Sequence, residues 1–136
     1  MRKVIGTIAA RNRVRSAYDS LNRRDLDSFL SQFTDDAKFV FPTGELEGKE
    51  AIGEWFQKMM ERFPGVSFTL NSLCVERVFA FGGTNVVTAE WDLVLANAKG
   101  EEFRNTGVDV FSLGKGKVAA VRSYMFDIDV QKKAWA

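Results

Sequence analysis

Histidine is absent from the 136 residues, and cysteine occurs once, at Cys74. The absence of histidine excludes Ser-His-Asp and Cys-His catalysis and removes the commonest zinc ligand. A single cysteine excludes an internal disulfide framework and any CxxC metal or redox site. The apolar strand pattern around Cys74 predicts a buried thiol rather than a nucleophile. Any acid–base chemistry must therefore use carboxylates, tyrosine or lysine.

An excess of charge of either sign is also absent, because 19 basic residues face 18 acidic ones. Neither nucleic acid nor an anionic membrane is predicted as a partner. No apolar run approaches the ~18 residues of a membrane span. The short VIGTIAA segment, followed by RNR, is a poor signal-peptide core, so we expect a cytoplasmic location.

The chain does have many apolar side chains, at 46% of residues with twelve phenylalanines, enough for a core and a cavity wall. Its length predicts one domain over residues 1–136. Helical spacing of apolar residues occurs at 14–21, at 26–33 after a predicted N-cap at Asp25, and at 52–63 before the breaker Pro64-Gly65.

Strand-like segments follow near 66–81, 84–97, 102–113 and 117–127, and a shorter one fits 37–41. Their short links contain glycine, at Gly82-Gly83, 97–100 and 114–116, which is typical of antiparallel hairpins. Helices first and strands afterwards predict an α+β fold with the helices packed on one face of a curved sheet.

The segment TAEWDLVL, residues 88–95, holds Glu90 and Asp92 among strand-forming residues. Residues two apart on a strand share a face, so both carboxylates lie on one side, roughly 7 Å apart at Cα. Amphipathicity alone buries Trp91, Leu93 and Leu95 and leaves the carboxylates in water. A cavity on the other side would reverse this orientation, and burial would raise at least one carboxylate pKa.

Three motifs, NRRDLDSFLSQFTDDAKFVFP, LEGKEAIGEWF and GVDVFSLGKGKVAAVRSYMFD, resemble the NTF2-like superfamily in order and spacing. More narrowly, residues 12–127 resemble its SnoaL-like and ketosteroid-isomerase-like members. The resemblance implies a cone, with three N-terminal helices on a curved, mostly antiparallel sheet that encloses a pocket. The convex face of such sheets often forms a homodimer, which would accommodate an outward apolar stripe at Trp91, Leu93 and Leu95.

The resemblance also implies site residues. Tyr18 and Asp109 fall where ketosteroid isomerases carry their oxyanion-hole tyrosine and aspartate, whereas Phe41 replaces the general base. Limonene epoxide hydrolases match at Asp92 alone, since Glu90 replaces their arginine and Phe39, Phe41 and Ser123 replace three further residues. Epoxide hydrolysis is therefore not predicted. Both comparisons nevertheless orient Glu90 and Asp92 into the pocket.

The pocket wall implied by the resemblance comprises residues of the first strand, the third helix and the last two strands. They are Phe39, Phe41, Trp55, Met59, Asn105, Phe111, Val121, Ser123 and Met125.

Two functions stay open at this point. The first is an isomerase, cyclase or hydratase acting on a small apolar carbonyl compound. Asp92 or Glu90 would abstract a proton, and Tyr18 and a protonated Asp109 would donate hydrogen bonds to the enolate oxygen. No cofactor and no metal are predicted. The second is a non-catalytic dimer that binds a small apolar ligand or associates with another protein, which the substitutions at Phe41, Glu90 and Ser123 favour.

Overall fold

The computed structural model describes residues 2–77 and 85–136. In these ranges the chain forms four helices and six strands, whose bounds follow in chain order. They are α1 Arg2–Asn22, α2 Leu26–Ser31, β1 Phe33–Phe41, β2 Gly44–Glu47, α3 Lys49–Arg62, β3 Ser67–Arg77, β4 Asn85–Ala96, β5 Glu102–Gly114, β6 Lys117–Met125 and α4 Ile128–Trp135.

The strands form one sheet in the order β2-β1-β6-β5-β4-β3. Every pair is antiparallel except β1 with β6, which is parallel. Helices α1 to α3 pack on the inner face, and the main core lies between them and the sheet. The predicted α+β, NTF2-like cone with a mostly antiparallel sheet is confirmed.

Local sequence signals explain where the helices begin and end. Asp25 caps α2, since its carboxylate accepts the backbone N–H of Ser28 at 3.0 Å, and this hydrogen bond lowers the pKa of Asp25. Helix α3 ends at Arg62, before Pro64-Gly65, and buries Ile52, Phe56 and Met59 along one face. Both features agree with the sequence prediction.

Other predicted features change. Cys74 is exposed rather than buried, because successive strand residues alternate faces and Leu73 and Val75 take the inward positions beside it. The predicted strand continuation at 78–81 and the Gly82-Gly83 link lie outside the described residues. Strand β2 and helix α4 were not predicted; β6 ends at Met125 and α4 follows. Among the described residues, no helix is long and apolar enough to cross a membrane.

Candidate functional site

The β4–β5 hairpin determines which side chains face the helices. Trp91 pairs with Gly107, and Ala89 pairs with Asp109, so these four residues share the inner face. A Cβ atom at Gly107 would lie 2.7 Å from the Trp91 ring and 2.3 Å from the Tyr124 carbonyl oxygen. Glycine is therefore required at position 107 for the indole to approach β5 this closely.

Glu90 and Asp92 consequently lie on the outer face and are exposed. Asp92 accepts a hydrogen bond from Asn71 Nδ2 at 3.1 Å. The prediction that both carboxylates face the pocket is wrong, because the register that places Asp109 inside places Trp91 inside as well. Burying each large apolar side chain contributes about 1.5–3 kcal/mol, whereas burying unpaired carboxylates opposes folding.

Tyr18 of α1 and Asp109 of β5 meet at the wall of the inner cavity. The Tyr18 hydroxyl donates a hydrogen bond to Asp109 Oδ2, and both residues are buried, at 3% and 5% exposed. Tyr18 is held in place by edge-on contact with Phe111, at 5.8 Å between ring centroids. The structure thus brings together two residues that are 91 positions apart in the sequence.

The surroundings of this pair shift both pKa values upward. Burial raises the pKa of Asp109, although the neighbouring donors Ser123, Tyr18 and Trp91 act in the opposite direction. Burial, and then the charge of Asp109, raise the pKa of Tyr18 well above its ordinary value, so the phenol stays a donor. Asp109 Oδ1 and Trp91 Nε1 are buried and make no hydrogen bond of normal geometry, so both can bind a ligand.

The inner cavity has a volume of about 40 Å³. Its wall is mostly aromatic and apolar, and Asp109 is the one carboxyl group among the described residues that line it. Seven of the predicted pocket residues do line it. They are Phe39, Phe41, Trp55, Met59, Phe111, Ser123 and Met125.

Two predicted pocket residues do not line the inner cavity. Val121 is fully buried in the core. Asn105 instead holds the backbone of Asp127: its Nδ2 donates to the Asp127 carbonyl at 2.7 Å, and its Oδ1 accepts from the Asp127 N–H at 3.1 Å. Asn105 is the fourth residue of β5 and lies beside the N-cap of α4, beyond the residues that line the cavity, and this position explains the difference.

Sequence reasoning missed the part of the wall supplied by α4. Gln131 lines the inner cavity, is 7% exposed, and its Oε1 is buried without a hydrogen-bond partner. The available signal was Asp127, whose carboxylate caps the helix by accepting the N–H groups of Asp129 and Val130. Among the described residues, no group of three or more cysteine, aspartate and glutamate side chains is placed to hold a metal ion.

Comparison with known proteins places this arrangement in context. The family model of the SnoaL-like domain matches residues 14–121. Comparison with curated protein sequences gave no significant match.

Three solved structures show the same fold. Bal32a, from a soil-derived mobile gene cassette, superimposes with a TM-score of 0.82 at 20% identity, covering 96% of this chain and 98% of that one. A Bacillus subtilis protein provisionally named an isomerase gives 0.75 at 21% identity, with 96% and 94% covered. A Xanthomonas campestris protein provisionally named a polyketide cyclase gives 0.70 at 17% identity, with both chains covered completely. At these identities the likeness shows the fold alone.

Proposed function

This chain belongs to the SnoaL-like domain family, and we propose that it is a cofactor-independent enzyme of the isomerase, cyclase or hydratase type. Its substrate is a small, largely apolar carbonyl compound. The observation that carries the proposal is the buried Tyr18–Asp109 pair at the wall of an aromatic cavity. The provisional names of the Bacillus and Xanthomonas proteins agree with this reaction class.

With Glu90 and Asp92 outside, Asp109 is the acid–base residue in this proposal. Its carboxylate removes a proton from the carbon next to the carbonyl through Oδ1, which makes no hydrogen bond of normal geometry to the protein. The same carboxyl group then returns the proton to another carbon of the enolate. A pKa raised by burial suits both steps, because proton transfer is most effective when the pKa lies near the working pH.

The neighbouring donors have distinct roles. Tyr18 is a positioning residue, since its hydroxyl binds Oδ2 and leaves Oδ1 facing the ligand. Ser123 and Trp91 lie beside Asp109 and line the cavity, and their O–H and N–H groups stabilise the enolate oxygen. Such fixed donors stabilise the transition state most where water is excluded.

Exchange of α-protons tests this proposal without knowledge of the natural substrate. Small ketones and aldehydes are incubated with the protein in D₂O, and deuterium incorporation is followed by NMR. We expect Asp109→Asn to slow protein-catalysed exchange by at least about 100-fold, the lower range for general-base catalysis. The matched control is Asp92→Asn, which removes an exposed carboxylate on the outer face and should leave the rate unchanged. Equal exchange by Asp109→Asn and the wild type would refute the proposal.

The cavity is small, and one carboxyl group is found among the described residues that line it; both features favour a second function, non-catalytic binding of a small apolar ligand. Ketones that bind with a measurable Kd but undergo no protein-catalysed exchange would support that alternative.

We also propose a homodimer formed through the outer sheet face. Two apolar side chains are exposed on this face, Tyr124 at 54% and Val40 at 36%. Val108 of β5 lies next to them, because it pairs with Tyr124 of β6 on one side and with Glu90 of β4 on the other. A cytoplasmic location stays a prediction from the sequence.

A further inference from the structure

Helix α4 covers one side of the inner cavity and is held at both ends. At its start, Asp127 caps the helix while Asn105 binds the Asp127 backbone through two hydrogen bonds. Near its end, Arg62 Nε donates to the Ala134 carbonyl at 3.3 Å, and the Arg62 guanidinium lies 5.9 Å from the Trp135 ring. The side chains that α4 directs inward therefore have fixed positions.

Gln131 borders two spaces. It lines the inner cavity of about 40 Å³, and with Trp55 it also lines an outer groove of about 300 Å³. The other groove residues are Thr43, Lys132, Trp135 and Ala136. Trp55 and Gln131 are the residues common to both walls.

Two side-chain polar atoms of α4 are buried here without a hydrogen-bond partner. Gln131 is 7% exposed, and its Oε1 is buried without a hydrogen-bond partner. Trp135, one turn later on the same face of the helix, lines the groove and has an unpartnered, buried Nε1. An unsatisfied buried acceptor destabilises the free protein, so Gln131 Oε1 is available to a hydrogen-bond donor of a bound ligand.

The size of the inner cavity restricts what can bind. A volume of about 40 Å³ holds roughly three water molecules, since each needs at least ~10–15 Å³. A carbonyl group and one or two carbons are therefore accommodated beside Asp109, and a longer molecule would extend past the shared wall residues Trp55 and Gln131 toward the outer groove.

We infer that Gln131 is a specificity-determining residue that accepts a hydrogen bond from a hydroxyl group of a ligand spanning the inner cavity and the outer groove. The substrate class is thereby narrowed to carbonyl compounds with a short apolar chain and a hydroxyl group along or at its end. The carbonyl end of this assignment rests on the proposed function, whereas the hydroxyl contact rests on Gln131 alone.

Matched ligand pairs test the hydroxyl contact. Methyl ketones carrying a terminal hydroxyl after one to five methylene groups are each compared with the ketone in which a methyl group replaces the hydroxyl. Binding is measured by tryptophan fluorescence and ligand-observed NMR. At the chain length where the hydroxyl reaches Gln131, we expect the hydroxyketone to bind about five- to tenfold more tightly than its partner.

Two variants separate this contact from a structural role. Gln131→Met keeps the length of the side chain but removes the acceptor, so the hydroxyketone and its methyl-terminated partner should bind with affinities that differ by less than about twofold. Its Tm should rise, because an unpartnered buried acceptor is removed. Gln57→Met, a change at an exposed glutamine of α3 that bonds Glu61, should keep the preference.

Each outcome has a distinct meaning. Ketone binding without a hydroxyl preference at any chain length, or a preference that persists in Gln131→Met, overturns the inference and leaves the proposed function intact. Failure of every ketone to bind or exchange overturns the proposed function and this inference together.

Discussion

At the scale of single residues, Asp109 is the group on which the proposed chemistry depends. The residue is 5% exposed, its Oδ2 accepts a hydrogen bond from Tyr18, and its Oδ1 makes no hydrogen bond of normal geometry although Ser123 and Trp91 lie beside the carboxyl group. Ionisation there is opposed by burial and only partly compensated by donors. The same imbalance that makes Asp109 a useful proton acceptor for a ligand makes its ionisation costly for the folded protein.

This cost predicts a pH dependence of stability. The unfolded chain loses the Asp109 proton near the ordinary value of 3.8, whereas the folded protein keeps it to higher pH because its pKa is raised. Between these two values the folded state binds more protons, so the free energy of unfolding falls as pH rises, by at most about 1.4 kcal/mol per pH unit. Below 3.8 both states are protonated and the contribution disappears.

Other carboxylates titrate in the same range, so the measurement is a difference. Urea unfolding of the wild type and Asp109→Asn, at intervals from pH 3 to pH 8, isolates the contribution of this residue. We expect the stability of the wild type relative to Asp109→Asn to decrease with rising pH above about 4. Parallel stability profiles would show that the Asp109 pKa is the same in both states.

At the scale of secondary-structure elements, the register of β4 against β5 determines the composition of the cavity wall. Trp91 is 1% exposed and lies over Gly107, with Leu93 and Leu95 following on the same face. A residue with a Cβ at position 107 would contact both the indole and the β6 backbone at Tyr124 too closely, so both contacts must lengthen. The glycine therefore controls how far Trp91 projects into the cavity.

We expect Gly107→Ala to lower the free energy of unfolding by about 1–3 kcal/mol, as overpacking of a core does, and to change Trp91 fluorescence. Gly114→Ala is the matched control on the same strand, because its nearest contact would be Ala119 Cβ at 3.9 Å. That change should be neutral or stabilising by up to about 1 kcal/mol. Equal stabilities of the two variants in urea unfolding would contradict the close approach of Trp91 to β5.

Sequence patterns predicted the elements better than the contacts between them. Apolar spacing, the N-cap at Asp25 and the breaker Pro64-Gly65 located α2 and α3, because those signals are local. The carboxylates of β4 were placed on the wrong face because the resemblance was applied to each strand separately. The pairing of β4 with β5 puts Trp91 on the same face as Asp109, and therefore puts Glu90 and Asp92 on the other face. Alternation alone oriented Trp91 correctly.

The site shows the same division between local and long-range information. Tyr18 and Asp109 were named through family motifs, although the sequence alone does not specify a contact across 91 residues. Gln131 was missed since α4 has just eight residues, too few for a clear helical period, and its N-cap at Asp127 was read as the end of a strand.

At the scale of the whole molecule, the outer sheet face is the surface to be explained. Trp91, Leu93 and Leu95 are buried on the inner face, so they cannot form the outward apolar stripe that the sequence predicted as a dimer contact. The outer face nevertheless carries another apolar strip, which comprises Val40, Val108, Val110 and Tyr124. Glu90 borders Val108 at one side, and Arg122 pairs with both Val40 and Val110. A two-fold axis through this strip would bring the arginine of one copy close to the glutamate of the other.

We therefore expect a homodimer at tens of micromolar protein, measured by light scattering coupled to size exclusion. Tyr124→Glu should shift the protein to a monomer, because it places an unpaired charge at the centre of an apolar contact. Ile8→Glu on α1 is the matched control. Ile8 and Tyr124 are each 54% exposed, but α1 packs on the inner face of the sheet, opposite to Tyr124. A monomeric wild type, or equal dissociation by both variants, would rule out this interface.

If Tyr124→Glu is monomeric and still exchanges α-protons at the wild-type rate, the inner cavity functions within a single chain.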